Sequence, residues 1–305
     1  MRSVIKNGLA ATAIGALALT ATTAAAVANA ADDGQSSGGK AYGRDNLQVI
    51  GLSQGTRLSS FQTNRPGSVR TIGTVTLVGD VALVGIDYRV QNGALYGVGN
   101  AGGLYRLNAR TAVSTKVGQL TVALSGVNFG VDFNPVANAL RVVSDTGQNL
   151  RQPFATIDDG IADNDAATVV DGPLNVPGPQ AVPVAGAPVQ GVTGAAYTNN
   201  DLDASTGTTL FDLNSTTDSV AVQSPANSGF LATTGSLGVD FAANSGFDIY
   251  SQLRPMATGK TVQQFPYAVS NGRLFSIDLL TGRADDRGRL GNAAITDLAI
   301  PLNQS

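Results

Sequence analysis

The chain of 305 residues contains no histidine, cysteine or tryptophan and carries 19 basic against 22 acidic side chains. Without imidazole or thiol, histidine-based proton transfer, Ser-His-Asp triads, thiol nucleophiles and zinc centres of the usual ligands are excluded. All 22 acids are aspartate, only four lysines occur and glycine reaches 37, so the best charged helix formers are scarce while turn formers abound, and the composition predicts strands and tight hairpins.

Taken from the N-terminus, Arg2 and Lys6 flank the start of a stretch, residues 8–27, that is uncharged and rich in Ala, Leu and Thr; Ala28-Asn29-Ala30 then forms a small-x-small cleavage site. Residues 1–30 are read as a signal peptide. The rival reading, a membrane anchor, has the length but only weakly apolar residues. Cleavage leaves 275 residues (305 minus 30) with 17 basic side chains (19 minus Arg2 and Lys6) and 22 acidic ones. A mildly acidic exported chain is expected in a secreted or periplasmic location, with no nucleic-acid partner and no membrane insertion after cleavage. Without disulfides its fold must be held by its core. Residues 31–46, Gly/Ser-rich, are predicted to be a flexible leader, and residues 47–302 a single domain.

Within that domain the chain repeats. A Leu with an apolar residue three positions on falls at Leu58, Leu104, Leu150, Leu210 and Leu274, each after a Gly-bearing turn. A second unit precedes each hairpin: "GIDYR" at Gly85, "GVDFN" at Gly130, "GAAYT" at Gly194 and "GVDFA" at Gly238. A third unit places Gly73, Gly118, Gly235 and Gly288 near the end of each repeat. Four antiparallel strands recurring in this way predict an all-β fold, a β-propeller of five blades, with six as the alternative. The predicted blades are 47–76 completed by the C-terminal strand 295–300, then 82–120, 128–170, 191–237 and 238–291. Residues 172–191 carry five prolines and are read as an extended surface loop, since proline lacks the N–H a ladder needs.

Two constellations stand out. Blade three packs Arg141, Asp145, Gln148, Asn149 and Arg151 into slots that are mostly apolar elsewhere. They make either an Arg–Asp network tying blade three to its neighbours or a patch for an anionic or sugar-like ligand. Asp87, Asp132 and Asp240 occupy equivalent places in three predicted inner strands. They either cap neighbouring backbone or converge in the channel as an all-oxygen cation site, with calcium as the cofactor. A weaker calcium-loop echo is "DLDASTG", with Asp201, Asp203, Ser205 and, later, Asp212. It lacks the loop's glycine and terminal glutamate. No catalytic residue is assigned.

The runs "VGIDYR", "NGALYGVG", "LYRLN", "FGVDFNP", "LRVVSDTGQNLR", "AAYTN", "TTLFDL" and "LGVDF" resemble the secreted bacterial proteins of the domain-of-unknown-function 4394 family. The resemblance covers residues 47–302 and implies export and a propeller-like fold, but no activity. One departure is "QPFATIDDG" after Arg151, where that family usually has a tight turn; it leaves the outer strand of blade three open. The function expected is a non-catalytic extracellular binding or scaffold propeller whose partner is a protein, polymer or small ligand. The alternatives are an Asp-based, calcium-dependent hydrolase or lactonase-like enzyme, and a structural envelope or matrix protein.

Overall fold

The computed structural model describes residues 46–154, 166–178, 185–203, 205–253 and 259–304. The predicted signal peptide, and all of the leader but Asn46, lie outside the described residues. Five four-stranded antiparallel sheets form the blades of a β-propeller. From the axis outward, blade one is Ile295–Ala299, Gln48–Ser53, Arg57–Gln62 and Arg65–Thr74; blade two is Leu83–Arg89, Ala94–Gly99, Gly103–Leu107 and Ser114–Gln119. Blade three is Phe129–Asn134, Ala139–Ser144, Asn149–Pro153 and the two-residue Val169–Val170. Blade four is Val192–Tyr197, Leu210–Asn214, Ser219–Gln223 and Leu231–Ser236; blade five is Gly246–Leu253, Thr261–Ser270, Arg273–Ile277 and Ala284–Arg289. The inner strands contact one another in a closed circuit around the axis.

Closure occurs through the C-terminal strand, as the predicted blade one requires. Ile50, Gly51, Leu52 and Ser53 pair with Ala299, Leu298, Asp297 and Ile295, so the C-terminal strand becomes the inner strand of blade one and removes two free edges. Side chains alternate across each sheet and fill the spaces between blades. Ile50, Leu52 and Leu58 pack between blades one and two, whereas Val49 and Phe61 turn to the other face and pack between blades five and one. Each such buried side chain stabilises the fold by about 1.5–3 kcal/mol.

The glycine of the Gly-x-Asp unit has a steric reason. A Cβ at Gly130 would lie 2.5 Å from Ala195 N of the next inner strand, and one at Gly246 2.5 Å from Asp297 Cα. Neighbouring inner strands approach so closely there that only glycine fits. The glycines of the third unit prove to lie at bulges inside the outer strands, where Gly118 opposes Leu104 and Gly288 opposes Leu274.

Three expectations are corrected. The inner strand of blade five begins at Gly246, not at the "GVDFA" of Gly238. Residues 238–245 form a connecting loop, with Gly238 at φ 74°, Phe241 N bound to Asp218 Oδ1 and Ala242 N bound to Ser270 Oγ. The proline-rich segment is not wholly loop: Asn175–Pro177 and Ala185–Pro188 pair as a short hairpin. Their prolines stand at strand ends, where no ladder N–H is missed. Leu174 just before it is fully buried. The sixth blade is absent among the described residues. No helix there is long and apolar enough to cross a membrane.

Candidate functional site: the central channel and its mouth

Four blades project a carboxylate from the inner strand: Asp297, Asp87, Asp132 and Asp248 of blades one, two, three and five, all buried. Each accepts a backbone N–H from a neighbouring inner strand. Asp297 Oδ2 takes Ile86 N at 2.8 Å, Asp87 Oδ2 takes Phe133 N at 2.7 Å, Asp132 Oδ1 takes Tyr197 N at 3.0 Å and Asp248 Oδ2 takes Ile300 N at 2.6 Å. The aspartates therefore lace one inner strand to the next around the axis. Blade four has Ala196 at this place. The Ile249 N–H of blade five, without a carboxylate from that side, donates to its own Asp248 Oδ1 at 2.5 Å.

Capping and convergence, posed as alternatives by the sequence, coexist. One carboxylate oxygen each from Asp87, Asp132 and Asp248 lies within 4.8 Å of the others. Burial raises all four pKa values, and the charge of Asp248 pushes those of Asp87, Asp132 and Asp297 further, well above the usual range; Asp248 itself reaches about 7. Such a group either retains protons at neutral pH or gathers round a hard cation, which reverses the shift.

Asp240 does not join them. It is exposed in the loop before blade five, and Asp248, from the "GFD" eight residues on, stands in its place. Asp297 was also missed. Its "ITD" has Ile295 where the other units have glycine, and Gly51 on the partner strand supplies the space instead: a Cβ there would lie 2.7 Å from Ile295 Cδ1.

The blade-three residues separate into two groups, each bound to the scaffold. Asp145 accepts from Val127 N, Asn128 N and Asn128 Nδ2, while Gln148 accepts from Ser125 N and donates to the Ala123 carbonyl, so together they hold the loop that enters blade three. Arg141, 1% exposed, spans the blade three–four interface. It donates to Asp171 Oδ2 and Asn149 Oδ1 at 2.7 Å, Asn227 Oδ1 at 2.8 Å and the Tyr197 hydroxyl at 3.2 Å. Arg151 joins the same Asp171 from a more exposed position.

Asp212, also in that interface, has neither carboxylate oxygen hydrogen-bonded. Its neighbours across the sheet are Ala195 and Ala221. Burial lifts its pKa to about 8, against the opposing pull of Arg141. Since an unsatisfied buried polar group costs about 1–3 kcal/mol, Asp212→Val is expected to stabilise the protein by a comparable amount. The gain should be larger at pH 9, where the buried group ionises, than at pH 5. Urea unfolding at both pH values checks this, and a variant no more stable than the parent at either pH would mean that the carboxyl has found a partner.

Asp212 therefore lies in a strand and cannot close the calcium-loop echo. Within "DLDASTG", Asp201 Oδ2 accepts from Thr261 N and Oγ1, Asp201 Oδ1 from Asp203 N and Thr206 Oγ1, and Asp203 Oδ1 from Ser205 N and Oγ. Lys260 Nζ sits 3.2 Å from Asp203 Oδ2, where a cation ligand would point. These bonds lower the pKa of Asp203.

The inner strands of blades two, four, five and one end around a cleft of about 570 Å³. Val90, Leu202, Leu253 and Leu302 supply its apolar lining, and Asn200 and Asn303 its amide rim. None of the four channel aspartates lines it. Leu202 is 68% exposed.

A ring of five blades with a carboxylate-laced axis and an open cleft at one mouth defines a five-bladed β-propeller. Residues 57–299 match the family model of the domain of unknown function DUF4394, and the chain belongs to that family. No curated protein matches it. Among solved structures it is similar to a protein of unknown function from Bacteroides thetaiotaomicron VPI-5482, at 14% identity and TM-score 0.46, over 78% of this chain and 55% of that one. It is also similar to a chain of a nidogen/laminin complex, at 11% and 0.48, over 85% of this chain and all of that one. A third likeness is to an auxiliary nutrient binding protein from the same Bacteroides strain, at 11% and 0.40, over 80% and 57%. The chain thus spans little more than half the length of the two Bacteroides proteins.

Proposed function

We propose that the protein is a non-catalytic binding propeller, exported to the periplasm or beyond, that takes a neutral ligand in the cleft at the channel mouth. The observation that carries this is the cleft itself. Its volume of about 570 Å³ falls within the roughly 300–1,000 Å³ of small-ligand sites. Loops of four blades form it. Asp201 and Asp203 are engaged in hydrogen bonds within their loop and with Thr261, and the Asn200 amide donates to the Ile249 carbonyl, leaving the apolar side chains and the Asn303 amide to meet the ligand. That combination suits an apolar body with hydrogen-bonding groups at its edge, such as a short uncharged peptide.

The test is a thermal-shift and NMR screen of neutral peptides and glycans, followed by Leu202→Asp and Asn303→Trp. A hit from the screen is expected to weaken by about tenfold or more, roughly 1.4 kcal/mol, with either substitution. A panel that produces no hit, or a hit indifferent to both substitutions, would sink the reading.

A second reading, a calcium-dependent hydrolase, is favoured by one feature: the three carboxylates within 4.8 Å of each other. Asp87, Asp132 and Asp248 are the residues that would hold the ion. Against a catalytic role, each carboxylate is buried and spends an oxygen on a backbone N–H, and none faces the cleft. A bound ion there would brace the inner strands.

A further inference from the structure

The charges of the chain are sorted along the sequence. Residues 47–120 hold seven basic side chains against two aspartates, whereas residues 121–253 hold two basic side chains against thirteen aspartates. Blades one and two therefore carry an excess of basic side chains.

Arg57, Arg65, Arg70 and Arg110 of blades one and two are exposed, as is Arg289 of the adjoining blade five. None makes an ion pair within 4 Å among the described residues, though Arg289 stands near enough to Asp286 to help lower its pKa. Arg65 and Arg70 oppose Gln62 and Ser60, two positions apart on the adjoining strand, so the bulge between them turns both to one face of the outer strand of blade one. That strand is flanked on both sides. A Cβ at Gly67 would lie 3.5 Å from the Arg289 carbonyl of blade five, and one at Gly73 3.3 Å from the Thr111 carbonyl beside Arg110 of blade two. From Gly67 to Gly73 is about 20 Å at the rise of a strand. Arg57 lies across from Thr74 at the far end. The result is a group of exposed arginine positions in and beside the outer strand of blade one, at the circumference of the propeller, on a protein whose net charge is −3.

We propose that this rim binds a linear anionic polysaccharide. Guanidinium groups form paired hydrogen bonds with carboxylate and sulfate oxygens, and a row of them along a strand matches charges repeated along a polymer. A small anion is better served by a concave site, and the rim is an outer edge. Single-stranded nucleic acid needs aromatic faces on which bases stack, and no Phe or Tyr is exposed among the described residues. The rim is separate from the cleft, and the two proposals stand or fall independently.

The experiment is binding of the purified protein to polygalacturonate, with neutral dextran, single-stranded DNA and anionic phospholipid vesicles as comparisons, at about 50 mM and about 500 mM salt. Polygalacturonate is expected to bind at low salt and to release at high salt, while dextran does not bind. The R65S/R70S double variant and the R57S/R110S/R289S triple variant are each expected to weaken binding by about tenfold and to flatten its salt dependence. Lys260→Ser, outside the rim, should leave it unchanged. Exposed serines leave the core intact, and melting temperatures near that of the parent verify it. The proposal is overturned by absent binding at low salt, by unchanged affinity in both multiple variants, by equal loss in Lys260→Ser, or by tighter binding of DNA or vesicles.

Discussion

Arg141→Met will lower the unfolding free energy by about 3–5 kcal/mol, the cost of breaking one side of a buried ion pair. At about 2–4 °C per kcal/mol for a domain of this size, the melting temperature drops by roughly 10 °C. The substitution keeps most of the side-chain length and removes only the guanidinium. Asn149, Asn227 and Tyr197 each lose a donor, and Asp171 keeps only Arg151, whose side chain is 29% exposed. Arg151→Met takes a charge from the same Asp171 at a place open to solvent, and is expected to cost less than about 1 kcal/mol. Chemical denaturation of both variants decides the matter. Equal losses would mean that Arg141 does not tie blades three and four together.

Stability will fall as pH rises from about 4 to 8, opposite to the behaviour of a protein held by salt-bridged carboxylates. Asp87, Asp132 and Asp297 have folded pKa values raised well above the unfolded value of 3.8, and those of Asp248 and Asp212 are raised to about 7 and about 8. Between the unfolded and folded values the native state holds more protons, so each pH unit removes stability. Below pH 4 both states are protonated and the effect is complete; above the folded pKa both are ionised and the loss levels off. The lowered values of Asp203 and Asp286 act only below pH 3.8, outside this window. Asp248→Asn should flatten the profile. If Asp87, Asp132 and Asp248 hold a cation, calcium will raise the melting temperature at pH 8 and do nothing at pH 5, because protons then occupy the oxygens. A profile that climbs from pH 4 to 8 without added metal would refute the protonated channel.

How far the sequence announced this molecule depends on how local each signal is. The Leu hairpins and the alternation around them are set by neighbours a few residues away, so the second and third strands of every blade were legible. The axis was less so. "GVDFA" at Gly238 copies the inner-strand unit almost letter for letter, yet Phe241 and Ala242 give their N–H groups to Asp218 and Ser270 side chains in a loop. The true strand, "GFDIY", follows directly. Repetition marks a type of segment; which copy is drawn to the axis depends on the blades either side. Asp297 escaped notice because the glycine its strand requires is supplied by Gly51, some 240 positions away in the sequence (297 minus 51 is 246). The polar run of blade three was visible as residues, but its division into a loop clasp and an interblade tie was not. That division rests on Asp171, Tyr197 and Asn227, which come from other strands and loops.

The inner strand of blade one comes from the far end of the chain, with Ile50 opposite Ala299. Until residues 295–299 arrive, the first sheet to be synthesised keeps Gln48–Ser53 as a bare edge, and the circle cannot lock. Ring closure is then the most non-local strand pairing in the fold. A crowded refolding mixture gives that edge another choice: the same strand from a second molecule, producing intertwined pairs of otherwise native rings.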